Sequence, residues 1–272
     1  MKVIISHDVD HITAWEHSND LIIPKFVLRA LLEFGLGYIS GGEAKSRILS
    51  LISNRWNQLE DLMAFDRRHG IPSTFFVGVS NGCYLSYGKD LAGDWIERIR
   101  RQGFDVGVHG IAYDASAAMT EEHGSFQQMT GLKDFGIRMH YLRTAPDTIC
   151  RLGEIGYAFD STETALKNPY KIGRMWEFPL HVMDGHILCN GTRWQNRNLE
   201  EACQATKERI ERAAAAGIDY FTLLFHDRYY SNAFKTWSDW YVWFVAYCKE
   251  MGMNFISYQD AIAELEEGGL RS

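Results

Sequence analysis

Two carboxylates and two imidazoles occur at the start of the chain, in the run Val-Ile-Ile-Ser-His-Asp-Val-Asp-His at residues 3–11. In an extended segment Asp8 and Asp10 project from the same face, because successive side chains point to opposite faces. Two acids this close repel each other unless a divalent metal, an arginine or a shared proton lies between them. The pair therefore predicts that the chain begins within its own active site.

Ionisable residues stand at the ends of four predicted strands, which begin at residues 3, 104, 137 and 220. They are Asp8 and Asp10 after the first strand, His109 after the second, His140 and Arg143 at the end of the third, and His226 after the fourth. In parallel α/β folds, the loops after the carboxyl ends of the strands form the active site. If these strands share a sheet, the side chains converge at one edge.

Such a set of aspartates and histidines suits a divalent metal such as zinc, cobalt or manganese. A bound divalent metal lowers the pKa of water, and a nearby carboxylate can then take a proton from that water. An imidazolium can protonate the leaving group. The residue types therefore predict metal-dependent hydrolysis.

The elements that position these residues alternate between strand and helix. Hydrophobic patterns predict strands at residues 3–6, 73–79, 104–108, 137–142, 157–160, 187–190, 220–225 and 254–258. They predict helices at residues 21–34, 55–69, 90–102 (with Asp90 as N-cap), 125–135, 147–155, 199–216 and 235–250, with a final helix after the last strand. A barrel and a doubly wound open sheet both fit this alternation, and seven or eight strands favour the barrel. With no low-complexity linker, residues 1–272 are predicted to be a single catalytic domain.

The net charge of −7 argues against a nucleic-acid partner. The five cysteines are scattered and never have a Cys-x-x-Cys spacing, which indicates reduced thiols and a cytoplasmic protein. No apolar run approaches membrane-spanning length, so we expect no membrane insertion. The sequence offers no prediction of the oligomeric state.

Five motifs, in order, resemble those of the polysaccharide deacetylases (the NodB-homology group, carbohydrate esterase family four). They are the run at residues 3–11, Gly-Ile-Pro-Ser-Thr-Phe-Phe-Val at 70–77, Asp-Val-Gly-Val-His-Gly at 105–110, His-Tyr-Leu-Arg at 140–143 and Leu-Leu-Phe-His at 223–226. The resemblance is to a divergent branch, since the first motif has Asp-Val-Asp where Asp-Asp is usual. It implies a distorted (β/α) barrel of about seven strands. It also implies a metal-dependent hydrolase, with zinc as the expected metal, that removes an N-acetyl or other acyl group from an amino-sugar.

The resemblance assigns a role to each matching position. It implies that Asp8 is the general base, that Asp10 and His109 bind the metal, that Arg143 orients the base and that His226 is the general acid. The implied substrate is an acylated sugar of a surface glycan or its precursor.

The chain departs from the family at the second motif, where a second metal-binding histidine usually stands four residues after the first. Here that position is Tyr113, and a phenol is a poor zinc ligand at neutral pH because its pKa is about 10. His140 is the preferred third ligand on grounds of ligand softness, with Asp114 as the alternative. A weak or missing metal site is the remaining possibility.

Two alternative functions follow from these observations. The loss of the usual histidine at Tyr113 is compatible with an inactive glycan-binding protein on the same fold. Relatives of this fold also hydrolyse non-sugar C–N bonds. Because sugar rings stack on aromatic faces, Trp194 and Tyr229 are the predicted substrate-binding aromatics, and both lie in or near predicted loops.

Overall fold

A computed structural model describes residues 1–269 of the protein. The strands are β1 (Lys2–Val9), β2 (Thr74–Val77), β3 (Asp105–Gly110), β4 (Gly136–Met139), β5 (Phe159–Asp160), β6 (Tyr170–Ile172), β7 (Met175–Glu177), β8 (Val182–Met183), β9 (Tyr220–Leu224) and β10 (Asn254–Phe255). The helices are α1 (Ile22–Gly35), α2 (Gly41–Ile52), α3 (Leu59–His69), α4 (Lys89–Arg101), α5 (Ser116–Thr130), α6 (Thr148–Ile155), α7 (Asp184–Leu188), α8 (Leu199–Ala215), α9 (Lys235–Glu250) and α10 (Tyr258–Gly269).

One sheet connects all ten strands of the described residues, in the order β6-β7-β5-β4-β3-β2-β1-β9-β8, with β10 paired to the start of β1. Every pairing is parallel except that between β6 and β7. The sheet curls without joining its two edge strands, which confirms the distorted (β/α) barrel. It contains more strands than the seven expected because several are only two or three residues long.

The two faces of β1 have different partners. Val3 and Ile5 pack into the main core beneath the surrounding helices, whereas Ile4 belongs to a second cluster inside the curl. Tyr258 at the start of α10 joins this inner cluster and stacks on Phe159 with 4.3 Å between the ring centroids. Asp8 follows Ile4 at an even spacing, so it also points into the curl, as the alternation of side chains requires.

Three local predictions were wrong. Half of the predicted strand at residues 187–190 lies in the short helix α7 and none of it is a strand, since short apolar runs do not distinguish helix from strand. Asp90 is not an N-cap, because α4 begins one residue before it with Gly88 at the capping position. The helix α2 was missed, although Ser40 and Glu43 form a capping box at its start.

None of the five cysteines, all among the described residues, is paired in a disulfide. Within residues 1–269, no helix combines the length and the apolar character needed to cross a bilayer.

Candidate active site

Three donor atoms converge where β1, β3 and β4 end. Asp10 Oδ1 lies 3.1 Å from His109 Nε2 and 3.2 Å from His140 Nδ1. The two imidazole nitrogens are 2.9 Å apart. A tetrahedral zinc ion with ligand bonds near 2.0–2.1 Å needs ligand atoms about 3.3 Å apart. The observed separations are slightly shorter, so a small outward movement of the three side chains would accommodate the ion.

Backbone carbonyls orient both imidazoles toward this point. His109 Nδ1 donates to the carbonyl of Arg138 at 3.1 Å, and His140 Nε2 donates to the carbonyl of Cys83 at 3.0 Å. In the neutral rings, the opposite nitrogens therefore carry lone pairs that face each other and the Asp10 carboxylate. Only a cation or an additional proton can stabilise that arrangement, and carbonyl-held imidazoles are typical of metal ligands. The donor set thus fits a divalent metal.

The electrostatics of the cluster agree with this interpretation. Burial alone would raise the pKa of Asp10, but His140, His109 and His226 together hold it well below its usual value. Burial would lower the pKa of His140, and the Asp10 carboxylate outweighs that effect and raises it. The carboxylate is therefore ionised and the surrounding imidazoles are polarised by it.

Asp8 lies beside this cluster and is paired with a buried arginine. Its Oδ1 accepts a hydrogen bond from Arg138 Nη1 at 3.1 Å, and both side chains are almost completely buried. Arg138 is itself fixed by bonds to Ser6, Ser161 and Tyr258 of 2.8 to 3.0 Å. The structure thus provides a rigid cationic partner that keeps Asp8 oriented.

The prediction that Arg143 orients Asp8 was wrong in its geometry. Arg143 Nη2 donates to the carbonyl of Ile111 at 3.2 Å, and the guanidinium lies 4.7 Å from the centre of the Tyr113 ring. The physical reason is that β4 ends at Met139, whereas the predicted strand ran to residue 142. Arg138 lies inside the strand, and the chain turns before it reaches Arg143.

The turn after β4 has an uncommon backbone. Tyr141 and Leu142 have φ values of 57° and 52°, and Cys83, whose carbonyl holds His140, has a φ of 52°. Left-handed conformations are disfavoured for residues with a side chain, and they cluster at functional sites. The strain is located on the two segments that position His140.

The two candidates for the third donor, His140 and Asp114, occupy different environments. His140 lies with Asp10 and His109, whereas Asp114 is exposed and its carbonyl accepts a bond from Arg151. Tyr113, at the usual histidine position, packs beneath Arg143.

His226 lies beside the donor cluster and has its own carboxylate partner. Its Nδ1 is 3.0 Å from the carboxylate of Asp184, and its Nε2 lies 3.6 Å from Asp10 Oδ2. Burial would lower the pKa of His226, but Asp184, with Asp10 and Asp8, raises it well above its usual value. These carboxylates therefore favour the protonated form of His226.

These residues open into one pocket of about 330 Å³. The pocket is lined by Asp8, Asp10, Arg29, His109, His140, Tyr141, Leu142, Met183, Asp184, Gly185, His186, Cys189, Thr192, Leu224, His226, Tyr229 and Trp237. The predicted aromatic Tyr229 lines the wall and packs on Trp237 with 4.1 Å between centroids. Trp194 is not among the residues that line this pocket, so its role as a substrate-binding aromatic stays a prediction.

Sequence reasoning missed three residues of this site. Arg138 precedes His140 by two positions, which places both on one face of a strand, and this spacing was an available signal. Asp184 follows the two-residue strand β8, which is too short to leave a hydrophobic pattern. Trp237 lies near the start of α9, where the sequence pattern predicts an aromatic residue packed in the core.

Comparisons with known proteins agree with the architecture. No family model matches the chain, and no curated protein matches it either. Among solved structures, one from Mycobacterium smegmatis assigned as a polysaccharide deacetylase has a TM-score of 0.65 and 17% identity, covering 98% of this chain and 90% of that one.

Two further structures are similar. One from Pseudomonas aeruginosa PAO1, also assigned as a polysaccharide deacetylase, has a TM-score of 0.60 and 17% identity, covering 76% of this chain and 72% of that one. The Puue allantoinase has a TM-score of 0.61 and 14% identity, covering 95% of this chain and 87% of that one. The chain therefore has the fold of the polysaccharide deacetylases.

Proposed function

We propose that this protein is a metal-dependent hydrolase that removes an acyl group from the amino group of a sugar, in a surface glycan or its precursor. The observation that carries the proposal is the convergence of three kinds of group in one pocket. These groups are the three potential metal donors, the Asp8 carboxylate with its buried partner Arg138, and the His226 imidazole with its buried partner Asp184.

Asp10, His109 and His140 would hold the metal, and zinc suits their mixed nitrogen and oxygen donors. When bound, such a metal polarises the acyl carbonyl and lowers the pKa of water. The approach of His109 and His140 to within 2.9 Å of each other supports a small cation at this point.

Asp8 is the proposed general base. It accepts a proton from the attacking water as the new C–O bond forms at the acyl carbon. Arg138 holds one carboxylate oxygen of Asp8 at 3.1 Å, and the other oxygen lies 3.8 Å from Nδ1 of the proposed metal ligand His109. Because Arg138 is itself fixed by several hydrogen bonds, it keeps Asp8 in one orientation, which contributes to the rate through positioning.

His226 is the proposed general acid. It donates its Nε2 proton to the sugar nitrogen as the C–N bond breaks, so the products are a free amine and a carboxylic acid. Asp184 raises the pKa of His226, so the ring is protonated before each reaction. Proton donation of this kind typically contributes a factor of about 10²–10⁴ in rate.

The pocket fits a sugar-sized ligand. Its volume of about 330 Å³ lies at the lower end of small-molecule sites, which span roughly 300–1,000 Å³. Tyr229 and Trp237 provide an aromatic wall on which the apolar face of a sugar ring can stack.

The alternative of an inactive glycan-binding protein rests on Tyr113, which stands where the family has a histidine. The position of His140 beside Asp10 and His109 weighs against it, because this chain still has a complete set of three donors.

The experiment is acyl release from a panel of N-acetyl and N-formyl amino-sugars by zinc-reconstituted protein, with allantoin as a non-sugar C–N substrate. We expect acetate or formate release that is lost with chelator and restored by zinc. Asp8→Asn should abolish release, whereas Asp239→Asn, an exposed residue on α9, should not. Sugar binding by a zinc-loaded protein that releases no acid would favour an inactive glycan-binding protein. Turnover of allantoin alone would favour a hydrolase of non-sugar C–N bonds.

A further inference from the structure

We propose that His11, Glu16 and His17 form a second metal site, which takes a borderline divalent cation such as zinc. These residues lie in the loop between β1 and α1 and are separate from the cluster of Asp10, His109 and His140. The inference does not depend on the proposed hydrolase activity.

The donor atoms have spacings suited to a tetrahedral ion. His17 Nε2 lies 2.7 Å from His11 Nδ1 and 3.3 Å from Glu16 Oε1. His11 Nδ1 lies 3.8 Å from the same Glu16 oxygen. These three separations bracket the value of about 3.3 Å expected for ligands on one zinc ion.

Neighbouring groups leave the donor atoms free to point inward. His17 Nδ1 lies 2.7 Å from the Asp20 carboxylate, so Nδ1 carries the proton and Nε2 faces the cluster. Asp20 is in turn fixed by the backbone N–H of Ile22 at 2.8 Å. A histidine held by a carboxylate in this way is a recurrent arrangement around bound metals.

Glu16 is anchored through one oxygen and leaves the other for the cluster. Its Oε2 accepts bonds from the backbone N–H of Thr13 at 2.9 Å and from the Thr13 hydroxyl at 3.3 Å. Its Oε1 has a single long backbone bond, 3.2 Å from the N–H of Ile12, and faces both imidazoles. With one oxygen anchored to the backbone and the other facing the imidazoles, Glu16 is arranged as a monodentate carboxylate ligand.

The three donors are largely buried, and none of them lines the pocket described above, which argues against a role in binding substrate. The side chains of His11, Glu16 and His17 are 12%, 5% and 0% exposed, which leaves room for at most a narrow approach by water. Trp56 covers both imidazoles, with 5.6 Å between ring centroids in each case. The carboxylates of Glu16, Asp20 and the adjacent Asp10 supply negative charge for a divalent ion, opposed in part by the nearby guanidinium of Arg228.

The consequence is a cross-link within the loop that follows β1. His11 follows Asp10 directly in the sequence. An ion bound by His11 would therefore also restrain the backbone of Asp10, which is a donor of the first cluster. The second site would stabilise the loop and, through it, the position of Asp10.

The test is the zinc content of purified protein, measured by mass spectrometry after zinc loading and dialysis. We expect two zinc ions per chain in the wild type and one in His17→Gln. His109→Gln should also hold one, and the control His69→Gln, at the last residue of α3 and outside both donor clusters, should hold two. Equal zinc content in His17→Gln and the wild type would overturn the second site, whatever the content of His109→Gln.

A crystal structure of the zinc-loaded wild type tests the second site without relying on the folding of a variant. An anomalous peak at the zinc edge should lie among His11 Nδ1, Glu16 Oε1 and His17 Nε2. A map with a peak only at Asp10, His109 and His140 would refute this inference and leave the proposed function intact. A peak only at His11, Glu16 and His17 would do the reverse.

Discussion

The replacement of Arg138 by methionine should damage the protein far more than the same change at Arg143. Arg138 is completely buried and donates five hydrogen bonds, one of them to the buried carboxylate of Asp8. Removal of one partner of a buried ion pair leaves the other charge uncompensated, at a cost of about 3–5 kcal/mol. Arg143 donates one bond at 3.2 Å and stacks on Tyr113, which together contribute about 1–2 kcal/mol.

Urea unfolding measures this difference, since the midpoint and slope give the free energy of unfolding for each variant. The double variant Asp8→Asn/Arg138→Met removes both charges and should be more stable than Arg138→Met alone. The double-mutant cycle should yield an interaction energy of about 2–3 kcal/mol between the two positions.

Acyl release provides a second measurement on the same proteins. Arg138→Met should lose activity because Asp8 loses its orientation, and Arg143→Met should retain most of it. An Arg143→Met protein that is inactive, beside an Arg138→Met protein that is stable and active, would refute the assignment of Arg138 as the partner of Asp8.

Three further predictions concern other parts of the molecule. Asp184→Asn should lower kcat about 10²–10⁴-fold and move the alkaline limb of the pH–rate profile to lower pH, because the His226 acid loses the carboxylate that raises its pKa. Burial lowers the pKa of His181 to about 4, so the stability present above pH 6.5 is lost as the pH falls toward 4. Urea titrations should show a loss of roughly 3 kcal/mol over that range in the wild type and a smaller loss in His181→Gln. Gly136→Ala should lower the unfolding free energy by about 1–3 kcal/mol in urea, because a Cβ there would lie 2.2 Å from the Phe159 ring.

Each of these has a clear contrary outcome. An unchanged pH–rate profile in Asp184→Asn would remove His226 from the acid role. Identical pH dependence in His181→Gln and the wild type would show that His181 titrates normally. Wild-type stability in Gly136→Ala would mean that Phe159 moves freely, and Gly124→Ala, on an open helical face, is the matched control.

The sequence predicted the architecture because strand and helix patterns are local. The polar residues after β1, β3 and β9 were found for the same reason, since carboxyl ends of parallel strands must meet at one edge. Asp10, His109 and His140 indeed come together in the structure.

The partners of the catalytic residues were harder to predict because they depend on contacts between distant segments. The choice between Arg138 and Arg143 depends on where β4 ends, and that end is set by left-handed residues that no hydrophobic pattern indicates. Asp184 reaches His226 from the start of α7, across 42 positions of the chain.

Acyl release by the reconstituted protein under zinc control tests the proposed hydrolase most directly. We expect acid release from an acylated amino-sugar that requires zinc, Asp8 and His226 together. A protein with zinc bound at Asp10, His109 and His140 that releases no acid from any acylated amino-sugar would contradict it.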